Sequence, residues 1–211
     1  MVDDNRVRRL FKDGKAGHRM VAVVLSRPQG KAYRLATERD VEFYKKAEEY
    51  LEEKRKTLWE EWGIDLVPDE EIPLMSGTFN VPLYGFTKWG DLFNSRQKLA
   101  LITFTEKVRL AYKKLIEEGY DKEYAKAVVS YLGLGVNRLA DRNSALSVWN
   151  NIAEKQEHTF GRQALPMVWD YAETNVIEGV QGWGKQFSYV IDALKTLTQI
   201  PTVEVEEHDN G

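Results

Sequence analysis

With 211 residues and 43% hydrophobic content, the chain can bury a sizeable core, so disorder is not its expected state. The absence of cysteine excludes a disulfide scaffold, a thiolate nucleophile, a zinc ribbon and an iron–sulfur site carried by this chain. Thirty Lys and Arg against 33 Asp and Glu give a formal net charge of −3 and no global basic field, so any nucleic-acid binding has to be local. The longest apolar run, Met20 to Leu25, falls far short of the roughly 20 residues of a membrane-spanning helix, and the N-terminus lacks a signal-peptide layout. A soluble, cytoplasmic protein without a membrane partner is expected. His18, His158 and His208 have no His or Glu at metal-ligand spacing, so no metal site is expected.

Residues Met1 to Lys15 carry Arg6, Arg8, Arg9, Lys12 and Lys15 with few apolar side chains and read as a mobile arm. Met20 to Leu25 and Ala32 to Ala36, β-branched in part and separated by Pro28-Gln29-Gly30, read as a β-hairpin. A two-stranded hairpin is barely stable alone and should lean on other elements. Thr37 is placed to cap a long helix from Glu38 to about Trp62, with Asp40 in its first turn. Val41, Tyr44, Ala47, Leu51, Leu58 and Trp62 mark its apolar face, and Gly63 its stop. Ile64 to Gly90 is broken by Pro68, Pro73, Pro82, Gly77, Gly85 and Gly90, yet Phe79, Tyr84, Phe86 and Trp89 argue for order. It is the expected place for a boundary between a small α+β part, residues 1–80, and a helical part, residues 81–211, which can also be one continuous domain.

Asn94 with Gln97 three residues on resembles a capping box, and Leu101, Phe104, Val108, Ala111 and Leu115 repeat at helical spacing until Gly119. Tyr124, Val128, Tyr131, Gly135 and Leu139 predict a second helix antiparallel to it. Gly133 and Gly135 weaken that helix by about 1 kcal/mol each unless they permit close contact. Further helices are predicted at Ser144 to Asn150, Leu165 to Thr174 and Gly184 to Leu197, with Pro201 as a stop and a polar tail from Val203 to Gly211 that reads as a frayed terminus or a severed strand. The fold class expected is mainly α: a bundle-like C-terminal part with a small N-terminal hairpin plus helix.

No phosphate loop, Ser–His–Asp signature or paired-carboxylate motif is present, and Asp91, Asp141 and Asp170 read as caps or ion-pair partners. Three clusters carry richer chemistry. In Tyr84 to Gln97, aromatic residues interleave with Lys88 and Arg96 before a helix N-terminus, as in nucleic-acid contacts where bases stack on rings and cations meet phosphate. The same aromatics can equally staple the loop to a core. In Asn137 to Ser144, with Trp149, Arg138 and Arg142 lie one helical turn apart and can face one partner, or Asp141 can pair with Arg138. The third cluster, His158 to Glu173, combines Arg162 with Phe160 and Trp169, and Pro166 suits a helix start.

Four segments together resemble the large adenine-specific DNA methylases that also contain a zinc-ribbon domain: Lys31 to Asp40, Tyr84 to Gln97, Leu139 to Ser144 with Trp149, and Thr159 to Tyr171. Lys88-Trp-Gly-Asp-Leu-Phe93 and Arg162-Gln-Ala-Leu-Pro-Met167 are the specific ones. In that family a Gly-rich methyl-donor motif lies upstream of this region and a catalytic Asp-Pro-Pro-Tyr motif downstream. Neither occurs here, and the ribbon cysteines are absent. The resemblance therefore implies the inserted helical region between the two halves of a methylase active site, a piece of a larger or split enzyme. It implies S-adenosylmethionine only for a complete methylase and no cofactor in this chain. An adenine methylase must extrude its target base, so a region apart from the catalytic motifs is free to hold DNA and read sequence. The expectation is a non-catalytic DNA-binding or target-recognition region whose DNA-facing residues are Lys88, Trp89, Arg96, Arg138, Arg142 and Arg162. The alternative is a helical domain that binds another protein chain. A self-sufficient enzyme would need a concave pocket holding perturbed acids or His158.

Overall fold

The computed structural model describes residues 3–75 and 77–200. The architecture is mainly helical. In chain order the elements are α1 (Asp4–Lys12), β1 (Ala22–Arg27), β2 (Gly30–Leu35), α2 (Glu38–Trp62), α3 (Ser95–Glu117), α4 (Lys122–Arg142), β3 (Trp149–Asn150), β4 (Lys155–Gln156) and α5 (Trp183–Leu197). Two short 3-10 turns, Val81–Tyr84 and Trp89–Leu92, punctuate the long segment between α2 and α3. Strands β1 and β2 form one antiparallel hairpin, with Val24 opposite Tyr33, and β3 and β4 form a second.

The long helices form where periodicity and caps agree. Gly63 ends α2 in the left-handed region (φ 69°), a conformation that costs glycine nothing. At the start of α2 Thr37 is the N-cap and forms a capping box with Asp40, to which its hydroxyl also donates (2.6 Å). The Asp40 carboxylate also accepts from the Thr37 N–H (2.8 Å) and from both terminal nitrogens of Arg34 (2.6 and 2.8 Å). At α3 the capping box forms as expected: Asn94 accepts from the Gln97 N–H at 3.0 Å, and Gln97 accepts from the Asn94 N–H at 2.9 Å.

Helices α2 to α5 pack in chain order, each on the one before. Leu51 and Leu58 of α2 meet Ile102 of α3, and Lys54 pairs with Glu106 across the same interface at 2.8 Å. Trp183 of α5 stacks on Phe104 of α3 (centroids 4.9 Å apart) and on Phe187 (5.3 Å). Gly135 makes that stack possible, because a Cβ there would lie 2.9–3.0 Å from the Phe187 and Trp183 rings; Gly133 has nothing within 4 Å. The second core cluster joins Ile72, Val81, Phe86, Leu92, Ala145, Leu146 and Leu165. Both clusters draw residues from either side of position 80, so the two parts anticipated from sequence share their cores.

Three segments differ from the sequence reading. Asp4–Lys12 is a helix rather than a mobile arm: Arg8 pairs with Asp4 one turn earlier, and Phe11 packs edge-on against Tyr84 (6.2 Å) and Trp169 (5.8 Å). Residues 144–150 are not helical, because the Ser144 hydroxyl accepts from the Leu146 N–H (2.9 Å) and Ser147 bonds Thr159 (3.1 Å), interactions that compete with a helical ladder. Residues 165–174 are extended or turned; the Leu165 N–H donates to the Thr78 carbonyl (2.9 Å), and Leu165 bridges Phe79 in parallel. The expected stop at Pro201 and the polar tail lie outside the described residues.

Candidate nucleic-acid interface

The segments singled out by sequence come together. Asp91 anchors the first by accepting from the Thr87 and Lys88 N–H groups at 2.9 and 2.8 Å, which closes the Trp89–Leu92 turn. Gly90 lies so close to the backbone of Pro68 that a Cβ would sit 2.6 Å from its carbonyl oxygen. Leu92 is fully buried, and its carbonyl accepts from the Ala145 N–H at 2.7 Å, tying this segment to the end of α4.

The second and third segments are knitted through polar groups. The Asp141 carboxylate accepts from the Phe160 N–H (2.9 Å) and faces His158 Nδ1, while the Asp141 backbone carbonyl accepts from the Thr159 N–H (2.7 Å). Arg142 donates to the Gln156 carbonyl (2.9 Å) and to His158 Nε2. Ser144, Ser147 and Thr159 are buried and bond one another, which satisfies hydroxyls that would otherwise be costly in the interior.

Between the second and fourth of the resembling segments lies a cavity of about 400 Å³. Tyr84, Phe93, Trp169 and Tyr171 supply aromatic wall, and Asn94, Ser95 and Lys98 supply polar lining. Tyr84 and Trp169 meet edge to face at 5.4 Å. Asn94 is the hub: its amide donates to the Tyr171 hydroxyl (2.9 Å) and to Glu173 (2.8 Å), whose other oxygen takes Arg96 Nε at 2.8 Å. The Tyr171 hydroxyl bonds His18 Nδ1 (3.1 Å), and the two rings meet at right angles. Burial pushes the Tyr171 hydroxyl up to about 12, so it stays protonated, and partial burial lowers the pKa of His18 and of Lys98.

The six expected DNA-facing residues are not one patch. Trp89 packs against the core cluster, edge-on to Phe79 at 6.3 Å. Arg96 is held by Glu173 and lies over the Tyr44 ring. Arg142 is spent in the His158 network. Arg138 lies over Tyr189, 4.8 Å from its ring centroid, beside an apolar groove of about 480 Å³ between α4 and α5. Lys88 is exposed, with Asp69 3.9 Å away. Arg162 is exposed and has no ion-pair partner among the described residues.

Sequence reasoning missed His18 and Lys98 altogether, read Tyr44 only as part of an apolar helix face, and gave Glu173 no role within the third cluster. Among the described residues no cluster of three or more His, Cys, Asp or Glu could hold a metal ion, and no helix is long and apolar enough to cross a membrane. Comparison of the chain with protein-family models, curated proteins and solved structures finds no match.

Proposed function

We propose that the chain is a DNA-binding, target-recognition region resembling part of an adenine-specific DNA methyltransferase, without a complete active site of its own. The observation that carries this reading is the convergence of the resembling segments: two of them, Tyr84 to Gln97 and Thr159 to Tyr171, wall one cavity, and Ala145, which follows the third, reaches it too. Aromatic faces beside amide and ammonium groups suit an unstacked base or nucleotide, and residues far apart in the chain have been brought there together. The residues present do not fit S-adenosylmethionine. The described strands make two separate antiparallel hairpins, with no parallel sheet and no Gly-rich strand–turn to cradle a nucleoside-bearing cofactor. The resemblance assigns methyl transfer to the upstream Gly-rich and downstream Asp-Pro-Pro-Tyr motifs of such an enzyme.

The test is a fluorescence-anisotropy titration of labelled duplex DNA between about 50 and 200 mM salt. Phosphate contacts make the logarithm of affinity fall linearly with the logarithm of salt concentration. Arg162→Ala is the informative variant, because that side chain supports nothing in the fold, whereas Arg142→Ala would disturb the His158 network. Undetectable or salt-insensitive binding overturns the proposal. A second reading, a helical protein-interaction domain, draws on the groove between α4 and α5, where Leu134 and Leu197 are 48% and 60% exposed. It expects no salt-dependent DNA binding.

A further inference from the structure

Charge is unevenly spread along the chain. Between Gly14 and Thr37 there are five cations, Lys15, Arg19, Arg27, Lys31 and Arg34, and no Asp or Glu, in a protein whose net charge is −3. This stretch builds the β1–β2 hairpin, whose six-residue strands span about 20 Å at roughly 3.4 Å per residue.

One face of the hairpin is largely bare, while Val23, Leu25 and Ala32 on the other are half-buried. Pairing places Val24, Ser26, Lys31, Tyr33 and Leu35 on one face and Val23, Leu25, Arg27, Ala32 and Arg34 on the other. It is held at a few points. The Tyr33 ring meets Trp149 edge-on (6.3 Å), and its hydroxyl donates to Glu154 (3.0 Å). Lys31 Nζ lies 4.9 Å from the Trp149 ring centroid, and Arg34 grips Asp40. Leu35 and Val21 remain 76% and 64% exposed. Arg19, Arg27 and the Pro28-Gln29-Gly30 turn are exposed, and neither arginine has an ion-pair partner among the described residues. Strand-forming residues left bare on one face, within a long stretch free of Asp and Glu, describe a surface that a polyanion completes.

We propose that the β1–β2 ribbon is a second DNA-contacting element, entering a groove of the duplex with Arg19, Arg27 and Lys31 on flanking phosphates. The B-DNA major groove, about 12 Å wide, admits a two-stranded ribbon, and exposed apolar side chains such as Val24 and Leu35 suit thymine methyl groups. Phosphate contacts of this kind fix position and carry the salt dependence. The inference rests on the DNA-binding reading, extending it to residues 19–31.

The experiment compares the wild type with two double variants in duplex titrations across the same salt series. Arg27→Ala with Lys31→Ala removes two ribbon cations; Lys113→Ala with Lys195→Ala removes the same charge from α3 and α5. The ribbon variant is expected to lose roughly 10- to 100-fold in affinity near 100 mM salt, with a salt slope shallower by about 1.8, while the helix variant changes little. Because Lys31 touches Trp149, Arg19→Gln with Arg27→Gln is measured as well; it removes no contact within the fold and should show the same loss. Wild-type binding that both ribbon variants leave intact overturns the ribbon and spares the DNA reading. Equal losses in ribbon and helix variants also overturn it, since they report net charge alone. No wild-type binding overturns both.

Discussion

Two regions of the molecule hold most of their cations differently, with one exception in each: Arg162 in the first is exposed, and Arg34 in the second pairs with Asp40. In the knot formed by the end of α4 and residues 155–173, Arg142 is bound to His158 and Gln156, and Arg96, which reaches the knot from α3, is bound to Glu173. Hydroxyls there are buried and paired. In the β1–β2 ribbon, Arg19 and Arg27 are exposed with no carboxylate in reach among the described residues. Arginine beside an aromatic residue is thus not by itself a sign of a contact surface. In the knot the guanidinium groups satisfy carbonyl and carboxylate oxygens that folding has taken from water, while the ribbon has no interior to satisfy.

The contrast can be broken most sharply by deletion of apolar side chains. Leu92 is fully buried under the knot, so Leu92→Ala should cost about 2–5 kcal/mol by chemical denaturation, whereas Leu35→Ala on the ribbon should stay within about 0.5 kcal/mol. Equal costs would show that the ribbon is packed in solution.

A smaller effect sharpens the same lesson inside α4. Gly135→Ala drives a methyl into Trp183 and Phe187 and should destabilise by about 1–3 kcal/mol, while Gly133→Ala, with open space around it, should stabilise by about 0.5–1 kcal/mol. Thermal melts of the two variants moving in the same direction would contradict the close α4–α5 contact.

The smallest effect expected is with pH. The folded-state pKa of His18 lies below its ordinary 6.5 because of partial burial, so the unfolded chain binds more protons in that window and stability rises with pH through it. Melting temperature should fall as pH drops below about 6.5, and His18→Gln should flatten that part of the profile. Asp40, held well below the usual carboxylate range by Arg34 and then Thr37, acts in the same sense at lower pH: its contribution is present above about 4 and is lost on further acidification.

Much of the fold was legible because local signals agreed. Asn94 with Gln97, Gly63 and Gly119 bracket helices marked by apolar spacing, and Pro28 to Gly30 turns a hairpin after a Val-rich run. Residues 144–150 and 165–174 were misread as helices. Their short apolar spacings resemble helical ones, but Ser144 and Ser147 bond Thr159, and Leu165 pairs with Thr78 and Phe79. Helix α1 was missed for a related reason: Phe11 gains its partners, Tyr84 and Trp169, from segments more than 70 residues away.

For the candidate site, composition and order along the chain were enough to mark out the aromatic and basic clusters. Side-chain chemistry and local spacing are properties of the sequence itself. Whether Trp89 meets Phe79 or solvent, whether Arg142 is spent on His158, and which residues share the cavity with Asn94 were decided only by tertiary structure. Burial and pairing depend on which distant segments arrive at the same place, and no local pattern carries that information.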